Sequence, residues 1–427
     1  MKEEVTSLNN QMPHEEGFDH SFNFLREGYE FILNRKTKLQ SNIFETKILG
    51  KNVICLVGEE AAQLFYDTDK FERGGVATKG ILTTLFGENS VQVIDGEKHH
   101  NRKKMLMSVM TPNEINRMVE ITKTQWELSI DRWSKAGKIV FYEEMKQLFC
   151  EAAFRWIGCP LQEQDAKKIT KELASIFDTP IKFGAVSWIT KNYQNKLEKT
   201  FEQYVQNTRD EKVKFPNDSV FHQFSFHKDE EGQLLDKRIV ANEIINLLRP
   251  IVGIAIYMNF ILLALHEFQG EKEKIKNHPD YAKMFIQEVR RFYPFMPFAA
   301  ATVKEDFSWN GYQFTAGTLT LLDIYGTNHD PNVWENPNEF NPERFANWQG
   351  SPFSFIPQGG GDYFLGHRCA GEHMTLELMN VGLDYLVNKI EYNVPQQDLS
   401  LDLSDIPSMP KSKIILDNVR RKAENIQ

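Results

Sequence analysis

The sequence predicts a mainly α-helical fold with a small β-sheet portion, and three segments carry that prediction. The apolar run from Ile251 to Leu265, interrupted by Asn259, predicts a buried core helix. The segment from Phe44 to Val57 predicts two strands around a turn at residues 50–52. A further core helix is predicted after Cys369, where apolar residues recur every three or four positions: Leu376, Met379, Leu383, Leu386 and Ile390.

The length of the chain bears on its domain organisation. With 427 residues, of which 41% are hydrophobic, the chain is longer than most single compact cores. It nevertheless contains no repeat or low-complexity linker that would divide it, and residues 229–232 and 395–410 are predicted to be surface loops. We therefore predict one domain over residues 1–427.

Charge and the amino-terminal residues restrict the partners and the location of the protein. The net charge of -9 is spread without blocks, which argues against nucleic acid as a partner. Residues 1–7 carry charge where a signal peptide or a membrane anchor needs a long apolar run. We expect a cytoplasmic protein without a membrane anchor.

Cys369 lies in a glycine-rich segment, residues 355–371, directly after His367 and Arg368. Glycines let the backbone approach a flat ligand closely, and the histidine and arginine place donors and positive charge beside a sulfur held as thiolate. This setting suits the axial ligand of a haem. The alternative is an inert buried thiol, which is the more common role of a lone cysteine. We give that role to the other three cysteines, which form no close-spaced pair for zinc or a disulfide: Cys55, Cys150 and Cys159.

Two charged motifs precede this cysteine. Glu288 and Arg291 lie three residues apart on one predicted helical face, and Pro294 then ends the helix. Further along, Arg344 in the run Phe340-Asn-Pro-Glu-Arg-Phe345 would complete a buried cluster if the segments meet. Taken alone, Glu-x-x-Arg is more often a solvated pair.

In order and spacing, these motifs resemble the haem-thiolate cytochrome P450 superfamily over nearly the whole chain. Glu288, Arg291 and Arg344 match its structural core cluster, residues 328–331 match its turn after a strand, and Cys369 matches its iron ligand. The resemblance implies the cytochrome P450 fold, one haem-thiolate domain over residues 1–427, and haem b (iron protoporphyrin IX) as cofactor.

The helix that should cross the oxygen side of the haem departs from the superfamily pattern. The usual acidic residue and threonine are replaced by Arg249 and Pro250. Pro250 cannot donate a backbone hydrogen bond, so we expect a kink there. Arg249 needs a partner because an unpaired buried charge costs several kcal/mol. That partner is either a carboxylate of the protein, such as Glu243, or the carboxylate of a substrate held by two guanidinium nitrogens at once.

The Arg-Pro pair resembles the bacterial fatty-acid peroxygenase branch of the superfamily, as do the segments Pro357–Gly361 and Leu321–Asp330. The resemblance implies hydrogen peroxide-dependent hydroxylation of long-chain fatty acids at Cα and Cβ, with some oxidative decarboxylation to terminal alkenes. The substrate carboxylate paired to Arg249 would act as the acid-base group for peroxide activation. No redox partner would be obligatory, and the chain indeed contains no Gly-x-Gly-x-x-Gly nucleotide motif.

Three alternatives stay open at the level of sequence. The protein is predominantly a fatty-acid decarboxylase that forms 1-alkenes, or a conventional reductase-dependent monooxygenase, or an idle haem or fatty-acid carrier. Gln92 bears on the first, because it occupies the position where branch members with histidine tend to form alkenes and members with glutamine mostly hydroxylate. Glutamine stays neutral and cannot donate a proton as an imidazolium can. On the alternative interpretation, its amide only satisfies backbone groups of a loop.

The resemblance also proposes residues around the substrate and the haem. An acyl chain needs an apolar pocket, for which we propose Phe86, Phe295 and Phe298. Haem propionates need donors or cations, which on an alternative interpretation are only solvated helix charges. The proposed cofactor-binding residues besides Cys369 are Lys79, His99, Arg102, Lys103 and His367.

Overall fold

The protein is described here by a computed structural model, which covers residues 11–74, 76, 89–159, 161, 163–178, 188–278 and 280–423. Helices account for 52% of the described residues and strands for 12%, so the prediction of a mainly α-helical fold with a small sheet portion is confirmed. The α-helices in chain order are α1 (Ser21–Glu27), α2 (Phe31–Leu39), α3 (Glu59–Phe65), α4 (Gly96–Met107), α5 (Pro112–Ala136), α6 (Phe141–Ile157), α7 (Glu163–Asp178), α8 (Trp188–Arg209), α9 (Val220–Ser225), α10 (Lys237–Glu267), α11 (Glu271–Asn277), α12 (Tyr281–Phe292), α13 (Ile324–Asn328) and α14 (Glu372–Asp384).

The strands form three small sheets within the described residues. The largest has the order β1-β2-β8-β5-β3, with β2 and β8 parallel and the other pairs antiparallel. The others have the orders β4-β10-β9 and β6-β7. The strands are β1 (Ile43–Ile48), β2 (Lys51–Leu56), β3 (Phe71–Glu72), β4 (Lys138–Val140), β5 (Phe298–Val303), β6 (Phe307–Trp309), β7 (Tyr312–Phe314), β8 (Leu319–Asp323), β9 (Ile390–Asn393) and β10 (Ile415–Arg421).

The amino-terminal hairpin is present, but its turn lies one residue earlier than predicted. Ile48 pairs with Lys51, so Lys51 and Asn52 belong to β2 and the turn consists of Leu49 and Gly50. Both turn residues have positive φ, 53° and 71°. A two-residue hairpin turn with positive φ at both positions matches the twist of its strands. Leu49 therefore adopts a strained left-handed conformation, and correct strand pairing compensates for that strain.

Helix α10 runs through the middle of the core and contains the predicted core helix. Its amino terminus is capped by Asp236, whose side chain accepts from the backbone N–H groups of Arg238 and Ile239. The helix continues past Pro250 to residue 267. By length and composition α10 is apolar enough to cross a membrane, yet 94% of its most apolar stretch is buried inside the protein. Its hydrophobicity is therefore that of a core helix.

The two charged motifs that precede Cys369 meet in one buried cluster. Both carboxylate oxygens of Glu288 accept from Arg291, at 2.7 and 2.8 Å, and Arg344 Nε lies 3.2 Å from the same carboxylate. Glu288 and Arg291 are completely buried. Arg291 also donates to the backbone carbonyls of Asn328 and Pro337, at 3.1 and 2.8 Å. The cluster thus joins α12 to the segment that leads to the cysteine loop.

Candidate active site

At Gly359 and Gly360 the loop before Cys369 is packed so closely that a side chain would collide with its neighbours. A Cβ on Gly360 would lie 2.7 Å from Ile356 Cγ2, and one on Gly359, whose φ is 91°, would lie 3.2 Å from the Tyr66 hydroxyl. The backbone N–H of Cys369 donates to the carbonyl of Gln358 at 3.1 Å. The loop is a rigid cradle of backbone atoms beside one sulfur, as close approach to a flat ligand requires.

The side chain of Gln358 is directed at the same sulfur. Its amide nitrogen lies 3.8 Å from Cys369 Sγ as a hydrogen-bond donor, and its amide oxygen accepts from Arg290 at 3.0 Å. Arg290 in turn binds Glu372 at 2.5 Å. Burial opposes ionisation of Glu372, but Arg290 and Arg368 outweigh it and lower the pKa of this carboxyl. This buried ionic network therefore holds the Gln358 amide in place as a hydrogen-bond donor to the Cys369 sulfur.

The charges around Cys369 differ from those expected on sequence grounds. Arg368 is neutralised by Glu372, with Nε 2.6 Å from its carboxylate, and His367 is engaged elsewhere. Burial raises the pKa of the Cys369 thiol and Glu372 acts in the same direction, while Lys103 and Arg290 oppose them. The protein charges alone do not hold this sulfur as a thiolate. Coordination to a metal ion would, because a metal deprotonates a thiol ligand outright.

Donors and cations gather beside the cysteine loop. The rings of His99 and His367 lie against each other with centroids 3.9 Å apart, and His367 Nε2 is 3.4 Å from Asp95. Lys103 donates to the backbone carbonyl of Arg368. Burial lowers the pKa of His99 to about 3 and that of Lys103 to about 8. A neutral imidazole and an ammonium group, both buried, are donors suited to a carboxylate such as a haem propionate.

Arg73 joins this group although the sequence analysis did not single it out. Its backbone N–H donates to Asp95, and its buried guanidinium lies 4.2 Å from the ring centre of Phe65 and donates to Ala300. With the glycine cradle, the set of buried donors fits a haem bound through Cys369.

Arg102, another of the proposed cofactor-binding residues, interacts mainly with a different element. Arg102 is buried, but the acidic side chain with the largest effect on it is Glu243 of α10, so it lies toward that helix. Among the described residues, its Nε and Nη1 atoms have no hydrogen-bond partner. Lys79 lies outside the described residues.

Arg249 is buried on α10 at the end of a row of polar side chains. Its Nη2 atom donates to Asn246 Oδ1 at 2.8 Å, and Asn246 Nδ2 donates to Glu243 Oε2 at 3.2 Å. Burial lowers the pKa of Arg249 to about 10, partly offset by Glu243 and Glu198, so the guanidinium stays charged at neutral pH. Glu243, the alternative partner expected from the sequence, therefore acts on Arg249 through Asn246 as well as through its charge.

The turn that carries Gln92 is tied to the same row. Residues 91–93 form a 3₁₀ turn, and the backbone N–H of Val91 donates to Glu243 Oε1 at 3.0 Å. Gln92 Oε1 is buried and has no hydrogen-bond partner among the described residues, so this oxygen does not satisfy a backbone group of the loop there. Pro250 is the one exposed residue between Val240 and Leu265, and all the others are buried. The face of α10 beside Arg249 therefore borders open space.

The proposed aromatic pocket residues are placed unequally. Phe295 stacks on Tyr257 of α10 with ring centroids 4.2 Å apart, two turns beyond Arg249. Phe298 begins β5 and packs against Phe24 at 5.3 Å, on the sheet side. Phe86 lies outside the described residues.

A second aromatic ring approaches α10 nearer to Arg249. A Cβ on Gly253, one turn after Arg249, would lie 2.9 Å from Phe177 Cζ. Only glycine at this position lets the ring of Phe177 lie so close to the helix.

Comparison with known proteins decides the family. The family model described as Cytochrome P450 matches residues 261–416. The structure of cytochrome P450EX alpha (CYP152N1) with myristic acid is 44% identical, covers 96% of this chain and 99% of that one, and superposes with a TM-score of 0.92. This chain belongs to the cytochrome P450 family.

Further relatives place this cytochrome P450 within the family. Cytochrome P450SP alpha (CYP152B1) in complex with (R)-ibuprophen is 37% identical, with a TM-score of 0.91 over 95% of this chain and 99% of that one. A variant of cytochrome P450 OleT in complex with arachidonic acid is 36% identical, with a TM-score of 0.92 over 97% and 99%. Abscisic acid 8'-hydroxylase 4 of Arabidopsis thaliana is more distant, at 24% identity over 87% of this chain and 84% of that one. The chain lies in the fatty-acid peroxygenase branch, as its Arg-Pro pair indicated.

As a cytochrome P450, the protein is a haem-iron oxidoreductase. Several residues of the site were not predicted from the sequence: Arg73, Glu243 as the acceptor for the Gln92 turn, Asn246, Gly253, Phe177, Arg290 and Gln358. Two signals were available. A glycine inside a long apolar helix usually marks a close approach, and Asn246 stands one turn from both Glu243 and Arg249. The direction of Gln358 and Arg73 depends on tertiary contacts and has no local signal.

Proposed function

We propose that this protein uses hydrogen peroxide to hydroxylate long-chain fatty acids at Cα and Cβ, with some oxidative decarboxylation to terminal alkenes. The observation that carries the proposal is Arg249, a buried cation on α10 where most family members have an acid and an alcohol. Two relatives of high structural similarity were solved with myristic acid and arachidonic acid, which supports a fatty acid as the ligand.

Arg249 binds and orients the substrate. With an exposed fraction of only 4%, its guanidinium is desolvated, and a carboxylate arriving beside it gains strongly in electrostatic energy. Because the carboxylate is fixed, the carbons nearest the reacting centre are Cα and Cβ, which sets the regiochemistry. Three phenylalanines are proposed to line the path of the acyl chain: Phe295 and, by resemblance, Phe86 and Phe298.

The bound carboxylate also carries out the proton transfer, since Arg249 and Pro250 stand in α10 where most family members have an acid and an alcohol. Held by Arg249, it accepts a proton from one oxygen of hydrogen peroxide and returns it to the other, as a general acid-base group does. Haem b bound through Cys369 supplies the oxidising chemistry, since a thiolate ligand favours cleavage of an O–O bond. His99, Lys103 and His367 are proposed to hold its propionates, with Arg73 beside them. No redox partner is then obligatory.

Gln92 is proposed to act on the fate of the substrate after hydrogen abstraction. Its side chain is neutral at all accessible pH values and cannot donate a proton as an imidazolium can. Return of the hydroxyl group to the substrate radical is therefore favoured over loss of carbon dioxide, so hydroxy acids are the expected main products.

The test is product analysis in the absence of any reductase. Purified haem protein is incubated with a long-chain saturated fatty acid and hydrogen peroxide, and products are identified by gas chromatography with mass detection. Hydroxy acids substituted at Cα or Cβ are the expected result. Mostly terminal alkene would make the protein a decarboxylase and contradict the role of Gln92. Product formed only with a reductase system would make it a conventional monooxygenase, and no product in either assay would favour a carrier.

A further inference from the structure

Glu243 contacts two parts of the site: the turn that carries Gln92 and, through Asn246, the guanidinium of Arg249. One carboxylate oxygen accepts from Val91 N at 3.0 Å, next to Gln92, and the other accepts from Asn246 Nδ2 at 3.2 Å. Asn246 Oδ1 then accepts from Arg249 at 2.8 Å. Glu243 is completely buried, and Asn246 and Arg249 are each about 5% exposed or less, so water does not substitute for these bonds.

We propose that Glu243 is the positioning residue of this site: its carboxylate fixes, through Asn246, the direction in which Arg249 presents its guanidinium, and fixes through Val91 the turn that carries Gln92. The inference rests on the proposed function, because it takes Arg249 to be the group that binds the substrate carboxylate. On this proposal Glu243 positions these neighbours and is not itself a ligand of the substrate or the haem.

The polarity of the row explains why a carboxylate is needed at its start. A carboxylate only accepts hydrogen bonds and a guanidinium only donates them, so the amide between them has one permitted orientation, with nitrogen toward Glu243 and oxygen toward Arg249. Glu243 therefore sets which atom of Asn246 faces Arg249. A group at position 243 that presented a donor to Asn246 would either turn the amide around or oppose it with another donor.

Burial opposes the ionisation of Glu243, so a carboxylate at this position carries a cost. Burial raises its pKa to about 7, against the lowering effects of Asn246, Arg102, Val91 and Arg249. Arg102 follows the Gln92 turn on α4, is 5% exposed, and is the cation with the larger Coulombic effect on this carboxylate. An apolar residue of similar volume would avoid this cost, so the two oriented contacts account for the carboxylate better than packing does.

The decisive variant is Glu243→Gln. The new amide can keep its oxygen toward Val91 N, which preserves the Gln92 turn, but its nitrogen then faces Asn246. Either Asn246 turns and directs its own nitrogen at Arg249, or two donors meet inside the row. Both outcomes displace the guanidinium, and we expect fatty-acid affinity to fall by about tenfold or more, the range associated with one unsatisfied buried group.

A purely electrostatic role for Glu243 predicts the opposite sign. Removing a negative charge near Arg249 would leave the guanidinium more available to the substrate carboxylate and would strengthen binding. Glu198 provides the matched control, since it is also buried, also acts on Arg249 through its charge, and is bonded to Gln194 and Arg238 rather than to Asn246. Glu198→Gln is expected to leave fatty-acid affinity unchanged or slightly stronger.

The measurement is calorimetric titration of each haem-loaded variant with a long-chain fatty acid and, separately, with its methyl ester. A loss confined to the free acid in Glu243→Gln, reproduced by Asn246→Leu and absent from Glu198→Gln, supports the positioning role. Equal losses for acid and ester would show general damage to the pocket and overturn it, as would unchanged or tighter binding of the acid.

Arg249→Ala separates this inference from the function on which it rests. If that variant loses fatty-acid binding while Glu243→Gln keeps it, only the positioning role fails. If Arg249→Ala keeps normal binding, the proposed function and the positioning role both fail. Should Glu243→Gln not fold, Asn246→Leu cuts the same row from its middle and decides between the outcomes.

Discussion

Replacing Arg249 by alanine is expected to remove fatty-acid binding and oxidation while leaving the haem site intact. The side chain is 4% exposed, and burial lowers its pKa only to about 10, so the wild-type protein presents a desolvated positive charge at neutral pH. Truncating one partner of a buried, hydrogen-bonded charge pair costs about 2–5 kcal/mol, or roughly a 30- to 5,000-fold loss of affinity. The low exposure of Arg249 favours the upper half of that range.

Two measurements and two further variants make this prediction specific. Fatty-acid affinity is measured by calorimetry and peroxide-driven turnover by product analysis, with haem content and the thiolate spectrum as checks on Cys369. Arg249→Lys keeps the charge but not the two-pronged donor, and an intermediate loss is expected. Arg238→Ala removes a side chain that is 54% exposed from the same helix and should change affinity by less than about threefold. Peroxide-driven fatty-acid oxidation at the wild-type rate in Arg249→Ala would refute the carboxylate mechanism.

Three other changes test separate parts of the account. Gln92→His adds a group that can carry a proton beside the substrate, so the ratio of alkene to hydroxy acid should rise; an unchanged ratio would remove Gln92 from the mechanism. Gly253→Ala places a Cβ 2.9 Å from Phe177 Cζ, so we expect kcat/KM for fatty acids to fall several-fold. The double variant with Phe177→Leu should recover kcat/KM. Failure to recover would show that the Phe177 ring does not cause the loss. Glu288→Gln leaves Arg291 buried without its carboxylate and should lower the free energy of unfolding in urea by about 3–5 kcal/mol. The control is Glu343→Gln, which breaks an ion pair whose glutamate is 62% exposed and should lower the free energy of unfolding by less than about 1 kcal/mol. Equal effects of Glu288→Gln and Glu343→Gln would contradict the buried cluster.

The sequence predicted those features whose cause is local. The core helix around Ile251 follows from its continuous apolar run, and the helix after Cys369 follows from the spacing of its apolar residues. The end of the second helix was predicted wrongly: the α-helix stops at Asp384, a π-helical turn covers residues 385–389, and Ile390 begins β9. The hairpin was predicted from two strand-like segments on either side of a turn signal, but its turn was placed one residue too late. A leucine at positive φ is the rarer choice there, and register is decided by pairing across the strands.

The site could be predicted only as far as single residues. Cys369 and Arg249 stood out because the residue types are unusual in their settings. Arg102 and Lys103 are adjacent on α4 and looked equivalent in sequence, yet consecutive helix positions face different directions, so one lies toward α10 and the other toward the cysteine loop. The row from Glu243 to Arg249 follows helical spacing, but its link to Val91 spans 152 residues of chain and arises only in the folded protein.

The most direct test of the central claim is isotope transfer from labelled peroxide. Haem-loaded wild-type protein is given a long-chain fatty acid and ¹⁸O-labelled hydrogen peroxide under ordinary oxygen, without reductase, in parallel with the methyl ester of the same acid. The account predicts hydroxy acid that carries the label at Cα or Cβ, and little product from the ester, which has no carboxylate for Arg249 to bind. Unlabelled hydroxy acid, or equal oxidation of acid and ester, would contradict it.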